Sequence, residues 1–207
     1  MKIKIVCQLQ TSGYSGGRYY AIMLAAGLSK QNEVHFYTNS PNNQIYKECF
    51  GYANIKFFSY NNLDLNQEYD FSIIFPGGER NFHLHDKMLE IAKFKSAKTY
   101  LFSFETENWW NSFSIQNKDS NIWLPWKKIS KHVDGIICVS KECVDWAREY
   151  YEKDDDFPMF GIEGPINTVI CDSVEVKKIN QVCFFTRIGI NSSHKGFKYL
   201  NYLNRES

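Results

Sequence analysis

The chain of 207 residues carries a formal net charge of +1, which argues against a surface built to coat nucleic acid. It has no apolar run long enough to span a bilayer, and its content of 43% apolar and 16% aromatic residues is enough for a substantial core. Six scattered cysteines form no C-x-x-C pair, and residues 1–6 have the pattern of a strand and not of a signal peptide. These features predict a cytoplasmic protein with reduced thiols.

Strand-like and helix-like segments alternate along the chain. We expect strands at residues 3–9, 33–38, 55–59, 71–75, 99–104, 134–139 and 157–162. We expect helices at residues 18–30, 41–50, 81–93 and 141–151. Short apolar strands that alternate with helices predict an α/β fold with a doubly wound, mainly parallel Rossmann-like sheet. Ligands of such sheets bind at the carboxyl ends of the strands, so candidate residues are sought there.

A second α/β unit begins near residue 181, with a strand-like run at 182–185 and a helix-like stretch from His194. One strand and one helix cannot bury a core by themselves. We therefore expect a Rossmann-like domain at residues 1–168, and at 169–207 a linker with the first part of an incomplete second domain. Either the rest of the second domain is missing, or residues 169–207 dock on the first domain or on another chain. We expect residues 182–207 to be mobile or to form a dimer contact.

A loop rich in glycine and serine lies between the first strand and the first helix and ends in Gly16 and Gly17. Glycines let a backbone approach a ligand closely, and a helix N-terminus favours an anion such as a diphosphate. The alternative is a plain tight turn. A dinucleotide site is not predicted, because the spacing is not G-x-G-x-x-G and Asn39, not an acidic residue, closes the second strand.

Two cations and a glycine occupy corresponding places in the second unit. Arg187 follows the strand-like run, and Lys195 and Gly196 stand where the next helix begins. An arginine fork and a lysine point charge together suit a diphosphate. The alternative is a pair of solvated surface cations.

Two carboxylates and two tryptophans follow the fifth strand. Glu105 and Glu107 stand just before Trp109 and Trp110, with only Asn108 between Glu107 and Trp109. Carboxylates beside aromatic faces suit a sugar, because the acid accepts hydrogen bonds from hydroxyls while the ring covers C–H faces. Either acid could also act as a base toward an acceptor hydroxyl. A polar loop whose tryptophans pack on the domain is the alternative.

Two further groups suggest weaker hypotheses. Glu79, His83 and His85 have the residue types of a metal site, but they give no complete ligand set, and we predict no metal. A second group could lie on an anionic membrane surface, although aromatic packing with solvated lysines is the commoner explanation of such a group. Its members are Trp123, Trp126, Lys127, Lys128 and Lys131.

Taken together, these residues in this order resemble the retaining glycosyltransferases of family 4, which have the GT-B fold of two facing Rossmann-like domains. Gly16 and Gly17 look like the family's glycine loop, and residues 137–141 look like the strand that ends in a serine, here Ser140. Residues 161–167 are similar to the segment that leads into the interdomain linker. Arg187, Lys195 and Gly196 resemble the group that holds the donor phosphates.

The resemblance implies a partial enzyme that moves a sugar from a nucleotide sugar onto a glycan or lipid-linked acceptor, as in bacterial polysaccharide or surface glycan synthesis. Glu105 and Glu107 would orient the acceptor, with Trp109 and Ser140 on the acceptor side. It implies no cofactor beyond the nucleotide-sugar substrate, no nucleic-acid partner, and a cytoplasmic location that can include peripheral contact with the inner face of the membrane. We expect the chain alone to be inactive.

The chain also departs from the family pattern. Thr186 stands where the family has a glycine, and Phe104 and Glu105 stand where many members carry a histidine. The two-glutamate motif of the donor-side domain has no counterpart before Ser207. An alternative is a binding module or one half of a two-chain transferase. A different Rossmann-like enzyme, such as a methyltransferase, is disfavoured because no acidic residue ends the second strand.

Overall fold

The computed structural model describes residues 1–9, 16–41, 54–77, 83–104 and 124–162, all within one compact unit, Met1–Asn167. The strands are β1 (Lys2–Cys7), β2 (Glu33–Thr38), β3 (Ile55–Ser59), β4 (Phe71–Phe75), β5 (Thr99–Ser103), β6 (Gly135–Cys138) and β7 (Met159–Gly161). The helices are α1 (Gly16–Ser29), α2 (His85–Lys93), α3 (Leu124–Ser130) and α4 (Cys143–Tyr151). Most of the helix expected at 41–50 and all of the second unit expected at 169–207 lie outside the described residues.

The described strands form one seven-stranded sheet in the order β3-β2-β1-β4-β5-β6-β7. Every pair of neighbours is parallel. The prediction of an α/β Rossmann-like fold with a parallel sheet is therefore confirmed. The strand order reverses between β1 and β4, which is the point where open parallel sheets receive their ligands.

The two faces of the sheet are covered by different helices. On one face, Ile3, Ile5 and Phe36 belong to an apolar cluster with buried residues of α1. On the other face, Val6 and Ile74 belong to a cluster with residues of α2, α3 and α4. Successive side chains of a strand point to opposite faces, so β1 and β4, which are buried at every residue after the first, contribute to both clusters.

The ends of several elements differ from the expectation. The last strand is shorter than residues 157–162, because Phe157 closes a turn by donating to Asp154 O (3.1 Å) and Pro158 has no N–H to donate. The fourth helix begins at Cys143 and not at residue 141. Helix α3 was not predicted at all: it has seven residues, too few to show a clear helical period, although Pro125 in its first turn is a typical helix-start signal.

One charged side chain lies inside the fold. Lys4 of β1 is 1% exposed, and its Nζ donates to Ile91 O at 2.9 Å and to Phe94 O, both at the C-terminal end of α2. The same Nζ lies 4.3 Å from the centroid of the Tyr69 ring. The carbonyls at a helix C-terminus and an aromatic face both favour a cation. Burial nevertheless lowers the pKa of Lys4 to about 8.

Candidate functional site

The glycine loop and the fifth strand meet at the carboxyl edge of the sheet. Helix α1 begins at Gly16, and a Cβ atom on Gly17 would lie 3.1 Å from Cζ of Phe104. Phe104 directly follows β5, and its ring centroid lies 5.7 Å from that of Phe75, at the end of β4. The missing side chain at Gly17 therefore lets the Phe104 ring pack beside the first turn of α1, so the start of that helix adjoins the end of β5.

A guanidinium is fixed at the end of β1. Arg18 Nε donates a hydrogen bond to Gln8 O at 2.8 Å. Burial raises the pKa of the neighbouring Cys7 thiol to about 12, and the charge of Arg18 opposes part of that rise. The Gln8 side chain is 7% exposed, and its Oε1 has no hydrogen-bond partner within the part of the chain that the structure describes. Sequence reasoning missed Arg18, although a basic residue directly after two glycines at a helix start is a visible signal.

The segment after β4 is held from two helices. Gly77 O accepts one hydrogen bond from His85 Nε2 (3.1 Å), on α2, and another from Trp126 Nε1 (3.0 Å), on α3. A carbonyl oxygen only accepts, so Nε2 of His85 carries the hydrogen in this bond. Burial lowers the pKa of His85, which favours the neutral ring. The backbone at Gly77 is thereby anchored beside the switch point of the sheet.

This arrangement bears on the histidine hypothesis. His83 is exposed, whereas His85 is buried and its Nε2 donates to Gly77 O. The two rings therefore lie in different environments. Glu79, the third member of that group, lies outside the described residues. Within the described ranges, no three His, Cys, Asp or Glu side chains are grouped as metal ligands.

Ser140 lies at the same edge, in the loop between β6 and α4. It is half-buried, and its Oγ donates to Cys143 Sγ at 3.2 Å. The loop is attached to the neighbouring strand, because Val139 N donates to Ser103 O at 3.1 Å. The structure thus places Ser140 with Gly16 and Gly17 on the carboxyl edge, at the ends of different elements.

The remaining predicted site residues lie outside the described residues. They are Glu105, Glu107, Trp109, Arg187, Lys195 and Gly196. For the first three, the described chain ends at Phe104, next to Gly17. Their assignments therefore stay predictions.

An open depression of about 590 Å³ lies at the opposite, amino-terminal edge of the sheet. It is lined by the end of α1 and the beginnings of β2 and β3, including Ser29, Glu33 and Lys56. We do not assign it as the site, since ligands of open parallel sheets bind beyond the carboxyl ends of the strands. Its polar, solvated lining also lacks the enclosed apolar wall that is typical of small-molecule sites.

No protein-family model matches the chain, and no curated protein matches it in sequence. What the described residues establish is a Rossmann-like α/β sheet. Its carboxyl edge carries the start of α1 with two glycines and the Arg18 guanidinium bonded to Gln8 O. It also carries the Gly77 carbonyl, which accepts two hydrogen bonds, and the loop that contains Ser140.

Proposed function

We propose that the chain is the acceptor-side part of a retaining, nucleotide-sugar-dependent glycosyltransferase of the GT-B type. The enzyme would move a sugar onto a glycan or lipid-linked acceptor without a metal or a further cofactor. The proposal combines the resemblance of the sequence to family 4 with the geometry of the carboxyl edge. Other Rossmann-like enzymes share the sheet, so the edge residues carry the argument.

The contact between Gly17 and Phe104 is the observation that supports it best. It joins the start of α1, where a diphosphate would be favoured, to the position from which Glu105 and Glu107 follow. A transferase needs these two functions, anion binding and acceptor orientation, side by side. A glycine that served only as a tight turn would not require them to adjoin.

In the proposed chemistry, Arg187, Lys195 and the backbone amides at Gly16 and Gly17 stabilise the charge that develops on the departing diphosphate. Arg18 adds a fixed positive charge to the same edge. Glu105 and Glu107 accept hydrogen bonds from the acceptor hydroxyls, and Trp109 covers an apolar sugar face.

Ligand-observed NMR with the 207-residue chain tests the proposal. A panel of oligosaccharides should include ligands that bind with Kd on the order of millimolar, as expected for one wall of a cleft. Glu105→Gln should weaken that binding with little change in melting temperature, because a carboxylate beyond a strand end adds little to the core. Glu149→Gln, at an exposed position of α4, is the matched control and should leave binding unchanged.

Two outcomes would count against the proposal. One is the absence of binding to every oligosaccharide and nucleotide sugar, together with tight binding of S-adenosylmethionine or NAD. The other is a Glu105→Gln variant that melts far lower yet binds normally, which would make Glu105 a structural residue.

We also propose, as the location of this enzyme, peripheral contact with the inner face of the membrane through α3. None of the described helices is long and apolar enough to cross a membrane. Trp126 is buried and Lys127 bonds to Glu152, so neither supports such a contact. The exposed side of α3 and the turn after it instead presents Leu124, Lys128 and Lys131.

This surface can be tested by sedimentation with vesicles rich in phosphatidylglycerol. Each lysine near an anionic surface contributes about 1 kcal/mol, so Lys128→Glu with Lys131→Glu should abolish most co-sedimentation. Lys93→Glu, at an exposed position of α2, is the control. Equal co-sedimentation of the double variant and the control would refute the contact.

A further inference from the structure

A second glycine, Gly161, lies where a side chain has no room. It is the last residue of β7 and is paired in register with Cys138, the last residue of β6. A Cβ atom on Gly161 would lie 2.6 Å from Lys141 N and 2.7 Å from Ser140 O, and closer still to Lys141 Cα. Its φ lies outside the left-handed region, so space alone requires a glycine at this position.

The obstructing atoms belong to the backbone, so rotation of a side chain cannot relieve the contact. The sheet side of the contact is held on both flanks of Gly161. Ile136 N donates to Pro158 O at 3.0 Å, and Ile162 N donates to Cys138 O at 3.0 Å. On the other side of the contact lies the loop that contains Ser140. In this loop Ser140 is half-buried and Lys141 is exposed. A side chain at position 161 must therefore displace the loop before it displaces the strand.

We propose that Gly161 is a positioning residue for the carboxyl-edge site. Its contact with the backbone of Ser140 and Lys141 fixes where the Ser140 hydroxyl stands. This inference rests on the proposed function for the role of Ser140, but the contact itself does not. It also ties β7 to the acceptor side of the site, because Gly161 ends β7 and lies against the Ser140 loop.

Gly135 provides a matched control in the same pair of strands. A Cβ atom there would lie 2.8 Å from Pro158 O and 2.9 Å from the Tyr100 ring. Gly135 is therefore crowded too, although less closely than Gly161, and it lies at the amino end of β6, away from the Ser140 loop. Alanine at either position should lower the melting temperature by several degrees, since overpacking costs about 1–3 kcal/mol.

The test compares Gly161→Ala with Gly135→Ala in the 207-residue chain by backbone NMR and by oligosaccharide binding. Gly161→Ala should shift the amide signals of Ser140 and Lys141, speed hydrogen exchange at Ile162, and weaken oligosaccharide binding about tenfold or more, because a small misplacement costs productive contacts. Gly135→Ala should also melt at a lower temperature than the wild-type chain but keep its Ser140 signals and its affinity.

Unchanged Ser140 and Lys141 signals in Gly161→Ala would overturn the proposal, and so would shifted signals with unchanged affinity. If the wild-type chain binds no oligosaccharide, the proposed function fails, and the amide signals alone still decide whether Gly161 positions the loop. Should Gly161→Ala not fold, the double variant with Lys141→Gly gives the loop more freedom. It should regain a folded spectrum with the Ser140 signal still displaced, and a wild-type Ser140 signal there would refute the proposal.

Discussion

The two edges of the sheet are held together by different interactions. At the amino edge, the Glu33 carboxylate contacts Lys56 Nζ at 2.7 Å and His35 Nε2 at 2.9 Å, with the Glu33 side chain 40% exposed. At the carboxyl edge, hydrogen bonds from side chains of Arg18, His85 and Trp126 end on the backbone carbonyls of Gln8 and Gly77. The first edge thus uses solvated charges, and the second uses donors directed at the main chain.

This difference has an energetic consequence. An exposed ion pair contributes about 0–1 kcal/mol and is screened by salt. A hydrogen bond from a side chain to a half-buried carbonyl contributes about 0.5–1.5 kcal/mol and is little affected by salt. We therefore expect the carboxyl edge to be the more rigid of the two, as a binding site requires, and the following variants measure the contrast.

The largest effect is expected for Trp126→Ala. The ring is 2% exposed, and its loss from the core should lower the free energy of unfolding by about 3–5 kcal/mol. Trp126→Phe keeps a ring but loses one of the two hydrogen bonds to Gly77 O, which still accepts from His85, so the lost bond should cost about 0.5–1.5 kcal/mol at any salt concentration. Urea denaturation gives both values. Trp146→Ala is the control, because Trp146 is 38% exposed, and an equally large loss there would contradict the contrast.

Lys4 is both charged and buried, so it shows how burial changes the contribution of a charge to stability. The pKa of Lys4 is lowered from 10.5 to about 8, so between those values the unfolded chain binds more protons than the folded one. The contribution of Lys4 to stability must then rise as the pH rises from about 8 to 10.5. We expect the stability of the wild-type chain relative to Lys4→Met to increase by about 1–3 kcal/mol over that window.

Denaturation of both proteins at several pH values measures this difference. The comparison with Lys4→Met is needed because the Cys7 and Cys138 thiols, whose pKa values burial raises to about 12, lower stability in the same alkaline range. A difference between the two proteins that stays flat or falls with pH would show that the ammonium is not desolvated.

The smallest effect is expected for Glu33→Gln at the amino edge. Hydrogen bonds from Lys56 and His35 lower the pKa of Glu33 to about 2, while burial lowers the pKa of His35. The ring is therefore mostly neutral at pH 7, and its contact with Glu33 acts as a hydrogen bond more than as an ion pair. Because Glu33 is well solvated, we expect a loss of about 0.5 kcal/mol or less at pH 7.

The contribution of Glu33 should disappear as the pH falls from about 4.5 toward 2, where the carboxylate takes up its proton. It should also shrink between about 0.01 M and about 1 M salt, as the Debye length falls from about 30 to 3 Å. Denaturation across both series checks this, and a loss as large as that of Trp126→Phe would remove the difference between the edges.

The fold could be predicted from the sequence because its strands are short apolar runs bounded by turn residues. The expected β2, β3 and β4 agree with the structure, and the other strands differ only at their ends. Helix α3 escaped prediction because a seven-residue helix with one buried tryptophan has no clear period. The helix start at Gly16 was placed two residues late, since glycine is a poor helix former.

The site was harder to predict, because its contacts join residues that are distant in sequence. Gly77 and Trp126 are 49 positions apart, and nothing in either segment indicates the other. The sequence indicates a linker-like segment around Gly161 but not the need for a glycine there, because that need arises from the adjacent Ser140 loop and not from the backbone angle of Gly161 itself. Residues at strand ends could be nominated by topology, but their partners depend on tertiary packing.

The central position of β1 has a consequence for how the chain is made. This strand leaves the ribosome before both of its neighbours, β2 on one side and β4 on the other. At synthesis rates of about 5–20 residues per second, the second side of β1 stays open for roughly 2–8 seconds after β2 has emerged. During that interval β1 exposes the hydrogen-bonding edge that β4 later covers. Until Phe75 has been added, the nascent chain should therefore stay soluble only if chaperones protect this edge or if aggregation is slower than synthesis.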